Sequence, residues 1–241
     1  MPHSDFVHLH VHTQYSLLDG ACHLKKLVNL ASQHKMPSLA ITDHGNMFGA
    51  IEFYQEAQNA GVKPIIGSEV YIAPRSRFEK SSSGIHDAAY HFILLCKDED
   101  GYHNLMRLIS IGYLEGFYYR PRIDKEALAQ YSKGLIGLSA CLKGEIPQLL
   151  QNNQFNSALK CADDFIQIFG KGNFYLELQE NKLPEQTTCN QGLLKIAGEL
   201  SLPIVATNDV HYLTRETAKA HEALLCIQTQ TTLSDPKHMH F

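Results

Sequence analysis

His8-Leu9-His10-Val11-His12-Thr13, running on into Gln14-Tyr15-Ser16-Leu17-Leu18-Asp19-Gly20, is the stretch around which the chain is organised. Alternate side chains of a β-strand share a face, so histidines at i, i+2 and i+4 set their imidazoles in a row. Such a row makes a poor core and a good ligand set, because neutral imidazole is the commonest protein ligand for a transition metal. A lone His-x-His would equally suit a solvated surface strand. The residues further along the chain decide between the two, since ligand-type side chains recur at the ends of other predicted strands.

Working outward, residues 6–13 are expected as the first strand, and Leu24, Leu27, Val28 and Ala31 predict a helix over 23–34 by their 3.6 period. The apolar run 38–43 reads as a strand buried on both faces that delivers Asp43-His44-Gly45-Asn46 to a turn. Ala50, Phe53, Tyr54 and Ala57 mark the next helix, and 63–73 the third strand, with Glu69 inside it. Residues 74–90 form the one long irregular insertion, with Ser81-Ser82-Ser83-Gly84 at its centre. A loop of that length serves as a lid or is a tolerated surface insertion.

Residues 91–96 make a fourth strand that opens on His91, followed by a helix through Leu105, Leu108, Ile109 and Gly112. Residues 116–124 read as a loop carrying Arg120 and Arg122, and 135–141 as strand five, ending at Cys141. Phe155, Ala158, Leu159, Ala162, Ile166 and Phe169 give the longest amphipathic helix, closed by Gly170 and Gly172. Strand six covers 173–179, a helix passes through Leu193 and Ala197, strand seven covers 203–212, and a last helix covers 215–226. Seven strands alternating with helices predict a parallel α/β sheet, curled into a seven-stranded TIM-like barrel. The whole of 1–241 is expected to be one domain, with 229–241 starting a linker, so that the chain reads as cut from a longer protein.

The composition narrows the function. Fourteen histidines against a net charge of -4 point to metal or proton chemistry rather than to nucleic-acid binding by basic residues. No apolar run reaches the roughly 18 residues needed to span a bilayer, and the start lacks a signal-peptide profile, so a cytoplasmic protein is expected. The six cysteines form no Cys-x-x-Cys pair and suit buried thiols.

In a parallel barrel the strand C-termini converge on one face. His10, His12, Asp19, His44, Glu69, His91, Cys141, Asp209 and His211 therefore meet in one place. Nine donors exceed one tetrahedral zinc but suit two or three divalent ions with a bridging carboxylate, a site fitted to phosphoester hydrolysis. Each residue alone has a plainer role: His44 as a helix cap, Glu69 as an ion-pair partner of Lys63 or Arg75, Cys141 as a small buried hydrophobe. His3, His8, His23, His34, His86, His103, His221, His238 and His240 are read as ordinary core or surface histidines, and Glu177 as the substitute ligand if one of the nine fails.

The stretches 8–20, Ile41-Thr-Asp-His-Gly-Asn46, Lys63-Pro-Ile-Ile-Gly-Ser-Glu69, Arg120-Pro-Arg122, Gly137-Leu-Ser-Ala-Cys141 and Ala206-Thr-Asn-Asp-Val-His-Tyr212 resemble the polymerase and histidinol phosphatase (PHP) domain family. The Tyr-Ser-Leu-Leu-Asp-Gly and Thr-Leu-Ser-Asp-Pro signatures resemble its branch at the N-terminus of bacterial replicative DNA polymerase III alpha subunits. The resemblance implies a distorted barrel with a trinuclear site. His10, His12, Glu69 and Asp209 would hold one ion, Glu69 with His91 and Cys141 a second, and Asp19, His44 and His211 a third. Zinc, manganese and magnesium all stay open as the metals. The implied activity is phosphoester hydrolysis, as 3'-5' exonuclease proofreading, with Glu69, Asp209 and Arg122 catalytic and Arg120 or Arg122 on a substrate phosphate. The implied partners are a DNA 3' terminus, the other polymerase domains, and proofreading and holoenzyme subunits; no membrane is involved. Two other readings stand beside it: a non-catalytic docking module, and a free small-molecule phosphatase. The polymerising site itself is expected outside these residues.

Overall fold

The computed structural model describes residues 3–81, 88–236 and 238–239. Seven strands, β1 (Ser38–Ile41), β2 (Lys63–Ile72), β3 (Tyr90–Cys96), β4 (Arg122–Ile123), β5 (Leu135–Leu138), β6 (Phe174–Gln179) and β7 (Ile204–Thr207), form one curled sheet. Their order is β1-β2-β3-β5-β6-β7, with the two-residue β4 paired to the end of β2. The helices are α1 (Leu24–Gln33), α2 (Ala50–Asn59), α3 (Glu99–Leu114), α4 (Lys125–Gln130), α5 (Glu145–Gln151), α6 (Phe155–Phe169), α7 (Pro184–Leu200) and α8 (Ala218–Thr229). No helix among the described residues is long and apolar enough to cross a membrane.

The sheet departs from the expected uniform direction at β3, which runs antiparallel to both β2 and β5. A parallel neighbour needs a crossover connection, usually a helix. The described residues between β2 and β3 contain none, so the chain turns back beside the strand it has just left. This reversal explains why His91 stands near the start of its strand and still reaches the face where the other strands end.

The segment expected as the first strand is not a regular one; it makes isolated bridges instead. On one side Ala40 N–H donates to His8 O (2.9 Å) and Thr42 N–H to Val11 O (2.8 Å). On the other, His12 N–H donates to Val210 O (2.8 Å) and Val210 N–H to His10 O (3.0 Å). Residues 8–12 thus join the β1 edge of the sheet to the chain leaving β7.

The largest apolar cluster lies where α6 and α7 cover β3, β5 and β6. In α6 the buried residues Ala158, Cys161, Ala162, Phe165 and Phe169 keep helical spacing; both Phe165 and Phe169 stack with Phe92, and Phe169 stacks with Phe174. Gly137 permits this packing: a Cβ there would lie 2.8 Å from both the Phe92 and Phe169 rings. Asp98 and Asp124 cap α3 and α4 by accepting from Gly101 N–H and Ala127 N–H. Helices α4 and α5 and strand β4 are too short to have shown a period in the sequence.

Within the 74–90 insertion the described part is tied down. Arg77 pairs with Asp124 (3.0 Å) and Glu115 (2.7 Å). Ser82, Ser83 and Gly84, read as its centre, lie outside the described residues, as do His86, His240 and Phe241.

Candidate metal centre

All nine sequence-selected donors come together. Cys141 Sγ is 3.9 Å from His91 Nδ1, which is 2.9 Å from Glu69 Oε1. Glu69 Oε2 is 2.8 Å from His44 Nδ1, and His44 Nε2 is 2.7 Å from Asp19 Oδ2. Asp19 Oδ2 is 3.3 Å from His211 Nε2, and His211 Nδ1 is 3.5 Å from Asp209 Oδ1. That same oxygen lies 3.1 Å from His10 Nε2 and 3.4 Å from His12 Nε2. Three subsets hold ligand atoms mutually within 4.8 Å: His12, Asp19, His44 and His211; His10, His12 and Glu69; His44, Glu69 and His91.

His10, His12 and Glu69 form a buried floor, while Asp19, His44, His91 and Asp209 are each slightly exposed and form the open side. Glu69 is the hinge of the arrangement. Its Oε1 faces His91 and His10, and its Oε2 faces His44 and His12.

The backbone is bent to place these groups. Asp209 itself has a left-handed φ of 49°, and left-handed residues immediately precede Asp19 (Leu18, 64°), Arg120 (Tyr119, 59°) and Cys141 (Ala140, 63°). Gly20 lets the Asp19 loop lie against the 8–13 segment, since a Cβ there would meet Thr13 O at 2.0 Å.

Hydrogen bonds behind the floor fix the imidazole tautomers. His10 Nδ1–H donates to Glu177 Oε1 at 2.7 Å. Ser16 Oγ donates to Asp43 Oδ1 (2.9 Å), which leaves it to accept from His12 Nδ1–H at 2.9 Å. With both rings neutral, the two Nε2 atoms turn their lone pairs into the cluster, 3.1 Å apart. Asp209 Oδ1, buried among three ring nitrogens, makes no hydrogen bond. Acceptor set against acceptor without a donor requires a cation between them, either a proton or a metal ion. The donor set thus fits divalent metal.

The protonation equilibria divide the ligands into rings that stay neutral and rings that hold a proton until a metal ion replaces it. Burial, helped by the neighbouring His44 and His211, pushes His12 down to about 3, so its lone pair is available. Burial also opposes charge on His44, but Glu69 and Asp19 outweigh it and lift that imidazole to about 9. For His10 burial again opposes protonation, while Asp209 and Glu177 raise the pKa well above the ordinary value. Burial favours protonation of Asp19, yet His211 and His44 hold its carboxyl well below the usual range. Burial, then Glu69 and Asp209, push the Cys141 thiol well above its ordinary value. A nearby cation would be needed to make it a thiolate.

The two arginines separate. Arg122, expected to be catalytic and phosphate-binding, is buried, and its guanidinium donates to the carbonyls of Gly116, Ala88, Arg77 and Glu79. It clamps the insertion to the 116–124 loop, with its donors committed to main chain. Arg120 lies at the rim, its guanidinium 5.4 Å over the Tyr71 ring. Tyr71 in turn stacks on His44 (5.8 Å) and meets His91 edge-on (5.3 Å).

The sequence reading missed three supporting roles. His221 of α8, read as an ordinary histidine, donates from Nε2 to Asp19 O at 2.8 Å and ties down that loop. Ser16 and Asp43 fix the ring of His12. Glu177, held in reserve as a ligand, lies behind His10.

A family model described as the PHP domain matches residues 8–181. The chain belongs to the PHP domain family. Among curated relatives of this PHP domain, the DNA polymerase III subunit alpha of Borreliella burgdorferi is 49% identical over 236 residues, 98% of this chain and 20% of that protein. The same subunit of Thermus aquaticus is 49% identical over 239 residues, again 98% and 20%. The chain therefore spans about a fifth of the length of these relatives. Of solved structures, a protein of Bifidobacterium adolescentis described as a metal-dependent phosphoesterase aligns with TM-score 0.53 at 15% identity, covering 93% of this chain and 98% of that one. An amidohydrolase of Chromobacterium violaceum, with bound sulfate and no metal, aligns with TM-score 0.54 at 15% identity, covering 86% and 87%. Both likenesses bear on the fold alone.

Proposed function

We propose that this PHP domain belongs to a cytoplasmic bacterial DNA polymerase III alpha subunit and hydrolyses phosphodiester bonds with two or three divalent ions, removing mispaired 3' nucleotides. The observation that carries the reading is Asp209 Oδ1, buried without a hydrogen bond among the ring nitrogens of His10, His12 and His211. His10, His12, Glu69 and Asp209 would hold the first ion, Glu69, His91 and Cys141 the second, and Asp19, His44 and His211 the third. Such ions supply Lewis acidity toward a phosphoryl oxygen and lower the pKa of water.

The protein's own groups do the rest. The buried His10, His12 and Glu69 floor excludes water from below, so substrate approaches from the side of Asp19, His44, His91 and Asp209. Asp209, on the open side of the cluster, is the carboxylate proposed to take a proton from the attacking water. Arg120, on the Tyr71 ring at the rim, holds a non-bridging phosphate oxygen of the departing nucleotide. DNA polymerisation belongs to the remaining length of the relatives, and the other polymerase domains are the partners proposed for this one. The exposed apolar side chains Tyr113, Leu114 and Phe117, at and just beyond the end of α3, suit such a contact.

The test is cleavage of a 3'-labelled single strand with manganese or zinc. Stepwise shortening that disappears in H12A and D209N is expected; cleavage unchanged in both variants would remove the site assignment.

A further inference from the structure

Glu177 is a buried carboxylate in the sheet interior, outside the nine donors. Its Oε1 accepts three hydrogen bonds, from His10 Nδ1 (2.7 Å), Gln179 Nε2 (2.9 Å) and Thr207 Oγ1 (2.5 Å). Its main-chain N–H donates to Ser139 Oγ at 2.9 Å, and its Oε2 has no hydrogen-bond partner. Strands β5, β6 and β7 thus each contribute to, or lie next to, a polar nest at this one carboxylate. Burying a carboxylate is costly unless it is paired, and His10 is the group it pairs with at 2.7 Å. Its one feature directed at the cluster is the bond to His10.

We infer that Glu177 is a positioning residue for the metal centre. It anchors the His10 ring through Nδ1, fixes the tautomer that leaves the Nε2 lone pair on the ion, and increases that nitrogen's donor strength through its negative charge. Thr207 and Gln179 hold the carboxylate in place. The role is distinct from the ligand substitute suggested by sequence, because Glu177 lies on the far side of the imidazole from Glu69 and Asp209. It rests on reading the cluster as a metal centre.

The alternative is that Glu177 only stabilises the interior, and metal affinity separates the two. Cobalt(II) binding is measured for the parent protein, E177Q and T207V by competition with a chromophoric chelator. The cobalt absorption spectrum and the melting temperature in excess chelator are recorded alongside. Glutamine keeps the shape and an acceptor for His10 but removes the charge. E177Q is expected to bind its tightest cobalt ion about 10- to 100-fold more weakly, with a shifted spectrum. T207V, which leaves the His10 contact in place, is expected to lose less, about threefold. It carries the test if E177Q does not fold. Parent-like cobalt affinity in the folded variants, with only the chelated melting temperature lowered, would overturn the inference and leave the metal centre standing. A parent protein that binds no cobalt would overturn both.

Discussion

The Nε2 atoms of His10 and His12 lie 3.1 Å apart, each on a ring whose Nδ1 is already engaged, by Glu177 and by Ser16. With both rings neutral these are two acceptors face to face, an unfavourable contact that a proton or a metal ion between them reverses. Removing one of them should therefore cost the ion rather than the fold. H12A and D209N are expected to lower phosphodiesterase turnover by at least about 100-fold and to reduce bound metal, while far-ultraviolet circular dichroism stays that of the parent.

Metal and proton compete for His44, and the competition has a sign. Its folded value of about 9 lies above the unfolded 6.5. In chelator, the stabilisation from its pairing with Glu69 and Asp19 is fully present below pH 6.5 and is lost as the pH rises through 9. With metal bound, the deprotonated ring is the ligand, so affinity increases over the same interval. Melting temperature should fall from pH 6.5 to 9 in chelator and fall less, or rise, with saturating zinc; parallel curves would exclude His44 as a ligand.

Arg120 and Arg122 should behave as different kinds of residue. R122M removes charged hydrogen bonds to four main-chain carbonyls, two of them buried, and a loss of about 3 kcal/mol in unfolding free energy is expected by denaturant titration. R120A should leave stability within about 0.5 kcal/mol and raise KM for an oligonucleotide roughly tenfold.

Gly20 offers a third kind of test. A methyl group there would collide with Thr13 O, so G20A must push the Asp19 loop away from the 8–13 segment. The expected result is weaker binding of the ion held by Asp19, His44 and His211, seen as one fewer equivalent in a metal titration.

Much of this site could be read directly from the chain, because a ligand at the end of a strand announces itself by chemistry and position together. His10, His12, His44, Glu69 and Asp209 are selected that way, and the fold brings them together. The supporting groups were harder. Ser16, Asp43 and His221 act through single hydrogen bonds across 4 to 202 positions, and no local period or spacing marks them. The same limit hid the role of Arg122. A buried arginine and a phosphate clamp have identical sequences, and which carbonyls surround the side chain is settled only in three dimensions.

The fold shows a similar division. Helix α6 keeps a clean 3.6 period and spans the residues expected of it. Strand β3 also covers the residues expected of it, but its direction is reversed, and His91 opening the strand was the available clue. The 8–12 segment alternates like a strand, yet its hydrogen bonds are divided between two neighbours, so it forms bridges rather than a continuous ladder.

The most direct measurement of the central claim is the number of divalent ions the purified protein retains after dialysis against trace zinc or manganese, by elemental analysis. The convergence of nine donors predicts roughly two to three equivalents per chain, falling in H12A and D209N. Fewer than about one equivalent in the parent protein, with no change in either variant, would contradict it.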